Sequence, residues 1–378
     1  MIFKSQKFRS LSPKFRRAIL LIYILYINYC LFSQYIGITC SDDYHYAQAF
    51  QMNYDGTITL GDIFSTGGFP SRINISKEGL VIIANNGYSY PDYLTLTVLK
   101  IDNAGSVQKV RDVDLGGMAF DICITKDNKY ALGYHRYELG NDEYDYGMSI
   151  LRLEKDDVKM PPIQFLSLKD LGLSAVHWAI NQYGVVLGIT IDPLEVFDFN
   201  EEGCLTYTYN NIPFNDVSCQ DIIFDNTGYR AYVTTWHGLA IIDIDVEKNV
   251  SLRGYINTIS HSPYYIVTTP DSRLIFESMN SGEVIIFRKN DDNNVVYKDK
   301  IDFPTGTGAM AITPDGKLIV VGYNYTISST DLSVIKINPD ETVERLVDKD
   351  ITVGRGTNCI GLYKLPETSV NEIWEMYK

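Results

Sequence analysis

The amino-acid sequence predicts an all-β chain folded as a seven-bladed β-propeller. Three observations carry that prediction: an internal repeat of 44–56 residues, four short apolar strands in each repeat, and a chain whose two ends each hold an incomplete unit. Periods of this length, with strand-length apolar runs and no sustained 3.6-residue periodicity, point to propeller blades rather than a helical solenoid.

The repeat is visible without gaps. Residues 47–77 align with 96–126 at a constant offset of 49, so that Gly56 meets Gly105, Ile73 and Ile75 meet Ile122 and Ile124, and Lys77 meets Lys126. The turn after each inner strand falls at Gly79, Asn128, Gly184, Gly228, Ser272 and Gly316, the last four spaced 44 apart. Second strands are expected at 80–84, 130–133, 185–189, 232–234, 274–276 and 318–321. Third strands are expected at 94–101, 148–153, 194–199, 239–244, 284–287 and 332–337, each followed by a weaker fourth. These strands alternate poorly, as they must when both faces pack against neighbouring blades. A seventh inner strand is expected at 358–363, and 46–52 reads as a third strand with no first or second strand before it. The ring then closes by pairing N-terminal outer strands with the C-terminal inner strand, which leaves no open sheet edge.

The 378 residues are 45% hydrophobic and 21% charged, enough apolar material for a large core and too much for a disordered chain. A net charge of −14 argues against nucleic acid as a partner, because phosphate binding needs clustered Lys and Arg. Six cysteines without a CxxC pair exclude a small disulfide scaffold and a structural zinc site.

The N-terminus stands apart. Lys4, Lys7, Arg9, Lys14, Arg16 and Arg17 precede an apolar run at 18–32, and Ser33 closes it. This is the pattern of a signal peptide at 1–33, leaving 34–378 as a single propeller domain. The run is shorter than the ~20 residues a spanning helix needs, so no transmembrane span is expected after cleavage. Export to a secreted, periplasmic or cell-surface location follows. Loss of six positive charges would take the net charge from −14 to −20. A lipidated Cys40 is the alternative, but Ile38 and Thr39 match the small-residue box before such a cysteine poorly.

Tyr232-Val-Thr-Thr followed by Ala240-Ile-Ile-Asp243, and Thr313-Pro-Asp-Gly-Lys317 followed by Leu332-Ser-Val-Ile335, resemble the YVTN and lactonase-type seven-bladed propellers. The resemblance spans nearly the whole chain after residue 33 and rests on blade-building residues. It implies the fold, and with it either sugar-lactone hydrolysis or an exported protein without catalysis. The family's hydrolases often carry a glutamate just after the second strand. Here those places hold Asn86, His135, Thr190, Trp236, Met279 and Asn324.

Seven residues before each inner-strand turn the repeat places Arg72, Asp121, His177, Asp221, Tyr265, Ala309 and, by a looser alignment, Asn358. The next position is apolar in every unit: Ile73, Ile122, Trp178, Ile222, Ile266, Met310 and Cys359. That step marks the passage from channel mouth to packed interior. Two carboxylates flanking a histidine, with an arginine one blade away, suit a polar ligand or a divalent cation on the channel axis, with Asp121, His177 and Asp221 as metal candidates. A plainer reading is that these side chains bond one another and close the axis. Removal of both aspartates by alanine is expected to abolish binding and spare the fold.

Four of the five histidines fall on one face, His177 and His261 at the heads of inner strands, His135 and His237 in loops between second and third strands. Trp236, Tyr264, Tyr325 and further tyrosines share it, and such rings stack on sugars or peptides or simply pack loops together. Two functions remain open. The first is a binding module holding a small polar ligand, glycan or protein at the channel mouth through Arg72, Asp121, His135, His177, Asp221, Trp236, His237, His261, Tyr265, Tyr325 and Asn358. The second is a lactonase-like hydrolase in which His177, His135 or His237 is the base and Arg72, Arg136 or Arg355 steadies the oxyanion. The absent glutamate favours the binder. No cofactor is firmly implied.

Cys40 and Cys359 belong to the same composite blade, and a disulfide between them is possible if the separation of their strands across the blade leaves the Cα atoms within ~7 Å. Cys204 and Cys219 are expected at opposite ends of their strands and therefore unbonded. N-terminal sequencing of the protein recovered from its source should begin near Gln34; recovery of Met1 with the apolar run in membranes would overturn the assignment.

Overall fold

The computed structural model describes residues 35–41, 45–87, 95–140, 143–173, 177–189, 194–214, 219–258, 262–323, 331–353 and 356–366. The apolar run at 18–32 lies outside them, as do His261, Tyr325 and Arg355. Seven antiparallel sheets of four strands each form the seven-bladed propeller. Blades 1 to 6 cover 70–113, 117–167, 177–212, 219–257, 263–302 and 307–345. Blade 7 joins Cys359–Lys364 to Tyr35–Ser41, Tyr46–Met52 and Ile58–Ser65, in that order. Among the described residues no helix is long and apolar enough to cross a membrane.

The turn chemistry explains the repeat. Gly79, Asn128, Gly184, Gly228, Ser272 and Gly316 all have positive φ, between 57° and 82°. Three residues earlier stand Ser76, Thr125, Asn181, Asp225, Thr269 and Thr313, whose backbone carbonyls accept the turn N–H. Their side chains accept further amides: Asn181 Oδ1 from Tyr183 and Val185, Thr313 Oγ1 from Lys317 and Leu318. Such residues mimic one side of a turn with their own oxygen. At Gly184, φ is +82° and a Cβ would sit 2.0 Å from the Phe199 carbonyl oxygen, so only glycine fits.

The core is divided among the blade interfaces. Seven apolar clusters are present among the described residues, one between each neighbouring pair of blades. The second strand of blade 1 shows why its residues are apolar throughout. Leu80, Ile82 and Ala84 pack toward blade 2, while Val81 and Ile83 pack toward blade 7. All five are 0–1% exposed. Truncating one such Ile to Ala costs about 2–5 kcal/mol, because close-packed neighbours cannot collapse into the space.

Two strand expectations change. The second strand of blade 2 does not stop at 133; Tyr130–Gly140 pairs with Glu143–Arg152 in a long hairpin. His135 is therefore a strand residue and not a loop residue, 1% exposed, with Nε2 2.8 Å from Ser149 Oγ. At the seam, Tyr46–Met52 does have a second strand before it. Tyr35–Ser41 is buried at every position and pairs with Cys359–Lys364. It follows the apolar run at 18–32 so closely that the apolar residues of one read as the tail of the other.

One buried group stands against the apolar pattern. Glu277, in the second strand of blade 5, is 0% exposed, and neither carboxyl oxygen has a hydrogen-bond partner among the described residues. Burial raises its pKa from 4.5 to about 8. The folded state therefore holds this proton more tightly than the unfolded chain, and stability declines as pH rises from about 4.5 through 8. Glu277→Gln, compared with the native chain by denaturant unfolding, should be nearly neutral at pH 4.5 and stabilising at pH 9, with a ceiling of about 5 kcal/mol. An equal difference at both pH values would show that Glu277 is not held protonated.

Candidate functional site

The seven inner strands bring the predicted ring together on the axis. Arg72, at the head of the inner strand of blade 1, reaches across to blades 2 and 4. Its Nε lies 3.3 Å from Asp121 Oδ1, and a terminal guanidinium nitrogen bonds Asp221 Oδ1. Its Cζ lies 4.4 Å from the centre of the Tyr265 ring in blade 5. Tyr265 in turn donates its hydroxyl to the Asn358 carbonyl of blade 7 at 2.6 Å and to the Ser71 carbonyl at 3.2 Å. One cation thus ties together residues from blades 1, 2, 4 and 5.

The two aspartates also work as latches between blades. Asp121 accepts the N–H of Ile122 in its own strand at 2.7 Å and that of Trp178 in blade 3 at 2.8 Å. Asp221 repeats the device, accepting from Ile222 at 2.9 Å and from Ile266 in blade 5 at 3.0 Å. These donors belong to the apolar positions that follow the ring in the sequence. At Ile122, Ile222 and Ile266 the amide lies at the head of the strand, beside a register shift in the ladder between first and second strands. Burial works to raise the Asp121 pKa, but Arg72, His177 and the Trp178 amide together hold it below its usual value. Burial likewise opposes the Arg72 charge, yet Asp221, Tyr265 and Asp121 keep it protonated well above its ordinary range.

This arrangement answers the cation question by charge. The Arg72 guanidinium already sits between the carboxylates, and their remaining lone pairs face backbone amides. Among the described residues no group of three His, Cys, Asp or Glu side chains is placed to hold a metal ion. The residues do not fit a divalent cation. Asp121→Ala with Asp221→Ala would orphan four buried amides and leave Arg72 uncompensated, so a cost in stability is expected of it as well as a loss of binding.

A cavity of about 490 Å³ lies against the ring. Arg72, Asp121, Asp221 and Tyr265 line one end, and the inner strands form its walls with Ile73, Ile122, Trp178 and Ile222. The polar residues that line it further toward the inner-strand turns are Asn74, Lys126, Asn181, Gln182 and Asp225. That is the face opposite the loops between second and third strands. The sequence reading missed these five, although Lys126, Gln182 and Asp225 sit at or next to the positions that open each turn. The repeat supplied a signal, but it was spent on the turns.

The other expected site residues scatter. His177 is 25% exposed, with Nδ1 3.5 Å from Asp121 Oδ2, and does not line this cavity. Burial lowers the His135 pKa to about 4, which keeps it neutral. Arg136 approaches the Met118 sulfur at 3.4 Å, away from the ring. Trp236 is 49% exposed in the tight turn beside His237, on the face the sequence reading favoured. Tyr134 and Tyr146 stack on each other and pack with Phe120, while Tyr134 also meets Trp178, which is loop and hairpin packing.

Arg72→Met should cost about 3–5 kcal/mol at pH 7, because it strands two buried carboxylates. In the native chain the depressed Asp121 pKa contributes stability above the unfolded value of about 3.9, lost as pH falls through the folded one. The variant lacks that contribution, so its deficit should hold from pH 7 to about pH 4.5 and narrow only as pH falls below about 3.9 in denaturant titrations. An unchanged gap would mean that Arg72 acts through packing alone.

No family model matches the chain, and no curated protein does. Solved structures do. A periplasmic gluconolactonase of Pseudomonas aeruginosa superposes with a TM-score of 0.70 at 14% identity, covering 88% of this chain and 99% of that one. A Bacteroides uniformis protein provisionally named a 6-phosphogluconolactonase gives 0.71 at 15% identity, covering 87% and 99%. A Desulfotomaculum acetoxidans protein of unknown function gives 0.68 at 16%, covering 88% and 99%. At these identities the likeness is one of fold: the chain is a seven-bladed propeller of the same architecture as these proteins.

Proposed function

We propose that this protein is an exported binding module that takes a small polyhydroxylated ligand, of the size of a sugar acid or sugar lactone, in the axial cavity. The observation that carries the reading is the cavity itself. About 490 Å³ falls within the ~300–1,000 Å³ of small-molecule sites. Its walls are mostly apolar and include Trp178, and its two ends carry polar side chains. The Asn74 and Gln182 amides, with Lys126, offer donors and acceptors to hydroxyl groups. The Arg72 ring supplies a rigid floor, pre-organised by its own bonds, so little entropy is lost on binding.

A hydrolase is the second reading, favoured by the His177–Asp121 pair and by the fold shared with a gluconolactonase. Against it, Arg72 is spent on two carboxylates and is poorly placed to meet a developing oxyanion. The test is calorimetric titration of the protein with a panel of sugar lactones and their open-chain acids, alongside a pH-stat assay of lactone hydrolysis. Saturable binding that drops at least tenfold in Lys126→Ala with Gln182→Ala, without turnover above the spontaneous rate, is the expected result. Binding unaffected by that pair would remove the cavity from consideration. Turnover that is lost in His177→Ala would replace the binder with the hydrolase.

A further inference from the structure

We propose that Cys40 and Cys359 form a disulfide that locks the propeller ring at its seam. The two residues are register partners in the antiparallel pair that closes the ring, Tyr35–Ser41 against Cys359–Lys364. Directly opposed residues in such a pair lie about 4.5–5.5 Å apart at Cα, inside the roughly 4.4–6.8 Å span of disulfides. The register supplies the strand separation that the sequence left open. Both side chains are 1% exposed and point into the same apolar cluster, with Ile38, Ala47 and Val81. Burial pushes the Cys40 thiol up, and Cys359 is close enough to exchange a sulfur hydrogen bond with it. Among the described residues no other two cysteines are partners in a strand pair: Cys123 faces Leu132, Cys219 faces Thr235, and Cys204 lies outside the strands.

The chemistry is thiol–disulfide exchange. The oxidant is a disulfide, either oxidised glutathione or the active-site pair of an oxidoreductase. One cysteine, as thiolate, attacks it to form a mixed disulfide and releases a thiol; the second thiolate then displaces the other thiol, forming the Cys40–Cys359 bond. Two electrons pass to the oxidant, and the two cysteine protons end on its two thiols. Since the buried thiols are poor nucleophiles, exchange belongs to the moment when the seam opens or first closes. The bond would join residues 319 positions apart, the arrangement in which a crosslink most restricts the unfolded chain.

The test uses the full chain, held in a glutathione redox buffer a few degrees below its melting temperature, then alkylated in denaturant and digested. One crosslinked peptide pair through Cys40 and Cys359 is expected, with Cys123 and Cys204 alkylated. The oxidised protein should melt about 5–10 °C above the same protein in excess reductant. Cys359→Ala and Cys40→Val should each abolish the reductant dependence. Alkylation of both Cys40 and Cys359 after oxidation, a bond to a different cysteine, or a crosslink that leaves the melting temperature unmoved would overturn the proposal. The native chain compared with and without reductant decides the matter even if both variants fail to fold.

Discussion

The antiparallel pairing of Cys359–Lys364 with Tyr35–Ser41 is the constraint on which the ring depends. Every other blade is built from consecutive strands; blade 7 alone needs both ends of the chain. If the seam opens, the cluster between blades 7 and 1 loses Cys359 and Tyr363, and the cluster between blades 6 and 7 loses Ile360. Two sheet edges would then meet water. Register at the seam is held by shape. A Cβ at Gly37 would lie 1.9 Å from the Phe50 ring, and one at Gly361 2.9 Å from Ile75. A slip of one residue would turn Ile36, Ile38 and Cys40 away from blade 1. Tyr35 adds a bond from its hydroxyl to Asp315 of blade 6 at 2.7 Å, so the seam strand is tied on both sides.

The axis is organised by a different force. Apolar packing joins each blade to its neighbours, but near the axis the strands converge and their first amides have no ladder partner. Asp121 and Asp221 meet those amides, and Arg72 makes two buried carboxylates tolerable. A buried ion pair of this kind contributes modest net stability, since desolvation offsets much of the attraction. Its geometric consequence is larger. It fixes the relative positions of blades 1, 2, 3, 4 and 5, and gives the cavity a floor that does not rearrange when something binds.

That double role explains why polar residues at a propeller axis are poor evidence of a site when read alone. Arg72, Asp121, Asp221 and Tyr265 were legible as a ring because the repeat aligns them, and the structure does bring them together. Their saturation was not legible. It follows from Arg72 crossing the channel to a residue 149 positions away, and from carboxylates bonding amides in the next blade. The choice of face was likewise hidden. Histidines and aromatic rings drew the reading toward the loops between second and third strands, whereas the cavity runs toward the turns, among Lys126, Gln182 and Asp225.

Local information sufficed wherever the physics is local. Turn residues that demand positive φ, the polar residue three places earlier, and strands buried on both faces recur along the chain, so the blade count and most strand positions could be read directly; 185–189, 194–199 and 332–337 coincide with Val185–Ile189, Leu194–Phe199 and Leu332–Ile337. The same patterns located the step from polar to apolar at each inner-strand head. What they could not supply were the pairings between distant segments: the seam strand Tyr35–Ser41, the adjacency of Cys40 and Cys359, the burial of His135 in a lengthened hairpin, and the stranding of Glu277 between two isoleucines. Each of these depends on which surface arrives from elsewhere in the chain, and a residue's own neighbours in sequence carry no record of that surface. Ring closure brings the seam surfaces together, and strand pairing within blades 2 and 5 does so for His135 and Glu277.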